Sequence, residues 1–329
     1  MFLIKKNIRG DYEMSKKIFI DGQEGTTGLQ INERLSKRAD VEVISIDPAK
    51  RKEPSERKKL INQSDITILC LPDVASREAV SFIDNDNVKV IDASTAYRTD
   101  LDWAYGFPEL SARHRDDIRN SKRVSNPGCY ATGFIAGVYP LIAGDIISPK
   151  YPITSFGISG YSGGGKKLIE QYESDDVSLK EKLSSPRFYA LGLNHKHLPE
   201  MKIRCSLDFE PLFTPIVASY YKGMNVAVPL LRRELNKKMK PEEIHQYFSE
   251  YYKNEYFIEI APFDMSKSLD NGFLNETGCN DTNKLEIYVL GNDEQILIIS
   301  RLDNLGKGAS GAALQNMNIL LGLDEKTGF

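Results

Sequence analysis

The sequence is poor in the features that mark specialised environments. Four cysteines in 329 residues (Cys70, Cys129, Cys205, Cys279) are too few for a disulfide framework, and none shows the C-x-x-C spacing of a zinc or dithiol site. No apolar run is long enough to span a bilayer, and the first residues lack the apolar core of a secretory signal. A net charge of −3 supplies no basic surface of the kind that nucleic acid or an anionic membrane demands. Internal repeats and low-complexity segments are absent too. What remains is an ordinary globular composition, 41% hydrophobic and 27% charged, long enough for two domains with a sizeable core. These features set the expectation of a cytoplasmic chain acting on a small molecule, with neither nucleic acid nor membrane as partner.

Against that background one stretch stands out: Ser125-Asn126-Pro127-Gly128-Cys129-Tyr130-Ala131-Thr132. Pro127 fixes its own φ and disfavours helix at Asn126, so the apolar helical pattern that follows starts at or just after Gly128. Cys129 then lies in the first helical turn, where unpaired N–H groups and the positive dipole end favour a thiolate. That suits a nucleophile. The same position also suits a small buried apolar residue, a common fate of cysteine.

Residues 1–15 are polar and basic and read as an extension with no role in the fold. From Lys16 the chain becomes regular: an apolar strand at 18–21, then Gly22-Gln23-Glu24-Gly25-Thr26-Thr27-Gly28, then a helical pattern. Strand, glycine-rich turn and helix in that order can hold a dinucleotide pyrophosphate, because the missing side chains let backbone N–H groups approach the phosphates. The spacing is GxxGxxG, a variant of the usual fingerprint, and an ordinary tight turn would read the same way. The next strand, read as 41–47, ends in Asp47, 19 residues after Gly28, where an acid would bind the ribose of NAD. Lys50-Arg51-Lys52 follow and could instead hold the 2′-phosphate of NADP; the three cations tilt the expectation to NADP.

Further strand–helix units follow, with strands at 65–71 and 88–92, and Ser94-Thr95-Ala96-Tyr97-Arg98 after the second. Such alternation implies α/β architecture with a Rossmann-like parallel sheet and ligand at the carboxyl ends of its strands. Beyond the Cys129 helix the texture changes to long apolar strands, a glycine-rich loop at 159–167, a charged surface excursion at 171–187 and the amphipathic helix 241–252. This reads as an α+β domain with a partly antiparallel sheet. Of the four histidines, His114 lies among charges and His245 on the amphipathic helix. His195 and His197, beside Glu200, are the candidates for acid/base work, and they make only a weak zinc signal. No metal is expected.

Taken together, GQEGTTG, CLPD, DAST-x-x-R, YGFPEL, SNPGCYATG, GISGYSGGGK, HKHLPE and DNLGKGASG resemble the N-acetyl-γ-glutamyl-phosphate reductases, in their shorter class, within the aspartate-semialdehyde dehydrogenase superfamily. The resemblance runs from about Lys16 to Leu323. It implies an NAD(P)-binding domain over 16–128 plus 304–329, a catalytic and dimerisation domain of the semialdehyde dehydrogenase type over 129–303, and a homodimer or homotetramer. It implies NADPH-dependent reduction of an acyl phosphate through a Cys129 thioester, with His197 as acid/base. His197 is preferred to His195 because it directly precedes Leu-Pro-Glu. The Asn126 side chain and the Cys129 N–H are the candidate oxyanion donors, Ser94 and Arg98 are expected to hold phosphate or carboxylate, and Glu109 and Glu200 either position the acyl-amino portion or the histidine or serve structure alone. Gly22, Gly25, Thr26, Thr27, Gly28, Lys50, Arg51, Cys70 and Pro72 are assigned to the cofactor, with Ser159, Gly160, Asn304 and Lys307 at its nicotinamide half. Two other readings stay open: a sister acyl-phosphate reductase (for aspartyl or aminoadipyl phosphate), and a non-catalytic dinucleotide sensor.

Overall fold

The computed structural model describes residues 15–329, together with a short antiparallel backbone pairing of Lys5–Lys6 with Tyr12–Glu13; the rest of the extension expected at 1–15, up to residue 14, lies outside the described residues. The chain divides into two units. The first comprises residues 1–106, 113–126 and 313–329, the second residues 107–112 and 127–312. The return to the first unit comes at Ala313, later than the position 304 read from the sequence. Asn304 and Lys307 make their side-chain bonds inside the second unit, which accounts for the difference.

The first unit is a six-stranded sheet. Its strands are β1 (Lys16–Asp21), β2 (Val41–Ile44), β3 (Ile66–Leu69), β4 (Lys89–Asp92), β5 (Ala104–Tyr105) and β6 (Arg123–Ser125). They lie in the order β2-β1-β3-β4-β6-β5, every neighbour parallel. Helices α1 (Thr26–Ser36), α2 (Pro54–Gln63), α3 (Asp73–Ser81) and α4 (Ala112–Asn120) connect them. Strand β1 shows why both faces are covered. Ile18 and Ile20 pack with Ile31, Leu35 and Met317 on one side, while Phe19 packs with Ile61, Leu69 and Trp103 on the other. Each such fully buried aliphatic or aromatic side chain contributes about 1.5–3 kcal/mol.

The second unit is built on helix α5 (Cys129–Ala143) and a mixed seven-stranded sheet. Further elements in chain order are β7 (Thr154–Gly160), α6 (Lys166–Tyr172), α7 (Val177–Leu183), β8 (Arg187–Phe188), α8 (Leu198–Arg204), β9 (Leu212–Ala218), β10 (Met224–Leu231), α9 (Pro241–Tyr251), β11 (Ile258–Ile260), β12 (Leu285–Gly291) and β13 (Gln295–Leu302). The strand order is β8-β9-β7-β10-β13-β12-β11. Helix α5 is buried along nearly its whole length and presses onto this sheet at its glycines. A Cβ at Gly133 would lie 2.7 Å from Val226 Cγ2, and one at Gly137 3.1 Å from Ile298. Pro140 within the helix lacks the N–H that would bond the carbonyl four residues back. That carbonyl, Ala136 O, instead accepts from the buried Tyr252 hydroxyl at 2.9 Å. The excursion at 171–187 contains α7, whose start is capped by the Asp176 carboxylate accepting from the N–H groups of Ser178 and Leu179. No helix among the described residues is long and apolar enough to cross a membrane.

Candidate active site

In the first unit, the turn after β1 lines a cleft of about 480 Å³ together with Cys70, Leu71 and Pro72 from the end of β3 and Arg51 and Lys52 after β2. Gly22 adopts φ +88°, and a Cβ there would lie 2.4 Å from the Cys70 carbonyl oxygen. At Gly28 a Cβ would lie 2.5 Å from the Gly22 oxygen, so α1 and the turn approach too closely for any side chain. Gly25 is the N-cap of α1, no side chain caps that helix, and its first turn carries no acid. Thr26 and Thr27 open the helix. This is the backbone geometry that receives a phosphate at a helix N-terminus.

The side of the cleft after β2 departs from the sequence reading. Strand β2 stops at Ile44, not at residue 47, and Asp47 lies in an exposed turn whose carboxylate accepts from the Ala49 N–H at 2.9 Å. Neither Asp47 nor Lys50 lines the cleft, whereas Arg51 and Lys52 do. At the cleft floor sits a residue that sequence reasoning missed: buried Arg57 donates to the Asp21 carboxylate at 2.9 Å and to Glu78 at 2.6 Å. Burial raises the Asp21 carboxyl above the usual range, with Arg57 opposing the rise. Burial likewise pushes the Cys70 thiol up to about 12, so Cys70 lines the cleft as a neutral group.

Ser94 and Arg98 are both buried, in the wall beside β4 and β6. The Ser94 hydroxyl donates to Asp92 at 2.7 Å and accepts from the Ala96 N–H at 3.0 Å. Arg98 donates through Nε to the Asn126 carbonyl and through Nη2 to that of Ala93, at 3.0 and 2.9 Å. Asn126 donates its own N–H to Asp92 O at 2.7 Å, and its Oδ1 accepts from Asn316 at 3.2 Å. These residues form one buried hydrogen-bonded layer.

The second unit holds the thiol and the imidazoles. Cys129 is the first residue of α5, with Gly128 as N-cap, and is partly exposed. Helix α8 packs against α5 and carries His197 as its N-cap and Glu200 in its first turn, both buried. Glu200 Oε1 accepts the Gly128 N–H at 3.0 Å, so the two helix starts are stitched by one charge-assisted bond. Tyr130, next to the thiol, places its ring 5.7 Å from His195 and 6.2 Å from His197. The His197 N–H donates to His195 Nδ1 at 3.2 Å, which leaves the neutral ring's proton on Nε2. Burial, with Lys196 adding, pushes His195 down to about 4, so it stays neutral near pH 7.

A π-helical turn, Gly306–Ser310, packs against the thiol's residue. A Cβ at Gly308 would lie 2.8 Å from Cys129 Cβ. Only glycine fits there. The neighbouring Lys307, expected at the cofactor, and Glu109, expected at the substrate, meet each other through their side chains. Lys307 Nζ donates to Glu109 Oε1 at 2.5 Å, between the rings of Phe107 and Phe257, with both residues sealed at 1% and 2% exposure. Asn304 is likewise committed: it donates to the Ser162 hydroxyl at 3.0 Å and accepts from the Gly223 N–H at 2.8 Å. The Ser159 hydroxyl donates to the Gly160 carbonyl, and at Gly160 a Cβ would strike the Tyr221 oxygen at 2.6 Å. These four residues shape the glycine-rich loop and the turn behind the thiol. Among the described residues, no cluster of three or more His, Cys, Asp or Glu could hold a metal.

A Nostoc sp. protein named N-acetyl-gamma-glutamyl-phosphate reductase 2 is 51% identical over 317 residues, covering 95% of this chain and 98% of its own. The chain belongs to the N-acetyl-gamma-glutamyl-phosphate reductase family. A member of that family from Chelativorans sp. is 45% identical over 312 residues, covering 94% and 99%. Family models described as the semialdehyde dehydrogenase NAD binding domain and the semialdehyde dehydrogenase dimerisation domain match residues 17–120 and 129–304. The fold is that of aspartate semialdehyde dehydrogenase II from Vibrio cholerae (TM-score 0.69, 16% identity, 94% of this chain and 99% of that one). The Francisella tularensis aspartate semialdehyde dehydrogenase is similar too (TM-score 0.70, 14% identity, 93% and 100%). In this reductase-family chain, the residues that sequence reasoning missed are Arg57 and Gly308. Gly308 had a visible signal, the run of small residues from Gly306 to Gly311; Arg57, in a charged helix, had none.

Proposed function

We propose that this chain reduces N-acetyl-γ-glutamyl phosphate to the 5-semialdehyde and phosphate, with Cys129 as nucleophile and NADPH as reductant. The Glu200–Gly128 bond carries the reading, because it ties the helix start bearing the thiol to the helix start bearing an imidazole. The sulfur attacks the γ-acyl carbon; the carbon–oxygen bond to phosphate breaks, inorganic phosphate leaves and a thioester remains. N–H groups at the start of α5 favour the attacking anion and the negative charge that develops on the carbonyl oxygen. When bound, the reduced nicotinamide supplies the hydride. His197 gives a proton to the oxyanion left by hydride addition and takes it back as the hemithioacetal carbon–sulfur bond breaks and the thiolate returns. His195, held neutral and accepting from the His197 backbone, orients this segment and does not carry the proton.

The cleft after β1 fits a dinucleotide through its side-chain-free turn and uncapped helix start, and Arg51 and Lys52 favour NADP over NAD. In the second unit, the sheet face opposite α5 presents Phe156, Ile158, Leu212, Ile216, Leu297 and Ile299, all at least partly exposed. An apolar face of this kind supports a homodimer formed through that sheet. The test is the Cys129→Ser enzyme assayed for phosphate-dependent oxidation of N-acetylglutamate semialdehyde. Turnover falls to background while NADP binding is kept; retained turnover would rule out covalent catalysis at this position.

A further inference from the structure

The cleft in the first unit holds an ion pair that the reaction does not use. Glu24 is the last residue before the N-cap of α1, on the phosphate-receiving turn, and its carboxylate pairs with the Arg51 guanidinium; both residues line the cleft. Both side chains are about half exposed, at 57% and 46%, so the pair can open without unpacking anything. Arg51 is presented there by two successive tight turns, in which Asp47 O accepts the Lys50 N–H and Lys50 O accepts the Glu53 N–H, each at 2.8 Å. Glu24 thus supplies negative charge where a helix start and a guanidinium both attract it.

We propose that Glu24 sets cofactor choice by occupying Arg51. This rests on the NADP reading above. A 2′-phosphate on the adenosine ribose must take Arg51 away from Glu24, whereas a dinucleotide lacking that phosphate leaves the pair intact. The carboxylate therefore holds down the preference for 2′-phosphorylated ligands, and removing its charge widens that preference.

Calorimetric titration with 2′,5′-ADP and with 5′-AMP tests this without turnover. Wild-type protein binds 2′,5′-ADP the more tightly. Glu24→Gln raises the ratio of the two affinities about two- to fivefold, the range of one exposed ion pair. Arg51→Ala lowers the ratio, and adding Glu24→Gln to it changes the ratio no further. If Glu24→Gln strengthens both ligands equally, or widens the ratio without Arg51, the carboxylate acts by general repulsion and the proposal is overturned while the NADP reading stands. A wild-type ratio near one overturns the NADP reading and this proposal together.

Discussion

Glu200 and Gly128 are 72 positions apart in sequence and joined by a 3.0 Å hydrogen bond, from the backbone N–H that caps the thiol's helix to the carboxylate of the histidine's helix. The carboxylate is 1% exposed, so this acceptor is costly to remove. Glu200→Ala is expected to lose about 1–3 kcal/mol of stability, the cost of a buried unsatisfied donor, and to lower kcat by more than tenfold. Glu200→Gln keeps an acceptor oxygen and recovers most of the stability. Urea denaturation with steady-state kinetics on both variants checks this; an alanine variant with unchanged kcat would separate the bond from catalysis.

Gly308 is fixed by its distance to the nucleophile. Since an alanine Cβ would sit 2.8 Å from Cys129 Cβ, Gly308→Ala must displace either the π-helical turn or the thiol. Overpacking of this kind costs about 1–3 kcal/mol. The expected signature is a fall in kcat together with a changed rate of Cys129 alkylation by iodoacetamide. Unchanged alkylation would show that the turn yields and the thiol stays put.

His195 makes stability depend on pH. Its folded value is pushed down to about 4 by burial, below the ordinary 6.5, so between those values the unfolded chain binds a proton that the folded chain does not. Stability is therefore full above pH 6.5 and falls as the pH drops toward 4. Replacing His195 with Gln removes that part of the slope. Thermal unfolding from pH 4 to 7 on both proteins measures it, and identical slopes would assign the acid sensitivity elsewhere.

What could be read from the sequence was local. Asn-Pro-Gly before Cys129 forces a helix start within a residue or two, and α5 begins at Cys129 itself. The glycines of the first turn announce themselves because only glycine tolerates the contacts at positions 22 and 28. The strand read as far as Asp47 is shorter than the apolar alternation suggests, and β2 ends three residues earlier. Glu109 and Lys307 lie 198 positions apart, and nothing in either segment signals that their charges neutralise each other in the interior. Removing one charge of such a pair strands the other, at a typical cost of about 3–5 kcal/mol, which gives both residues a purpose independent of ligand. Pairings between distant segments follow from how the sheets close, and a single sequence does not display that.

The most direct test of the account is intact-mass analysis of protein mixed with N-acetyl-γ-glutamyl phosphate in the absence of reduced cofactor, with peptide mapping of any adduct. The expected result is an N-acetylglutamyl group on Cys129, released on addition of NADPH. An enzyme that turns over substrate while Cys129 never carries the acyl group would contradict it.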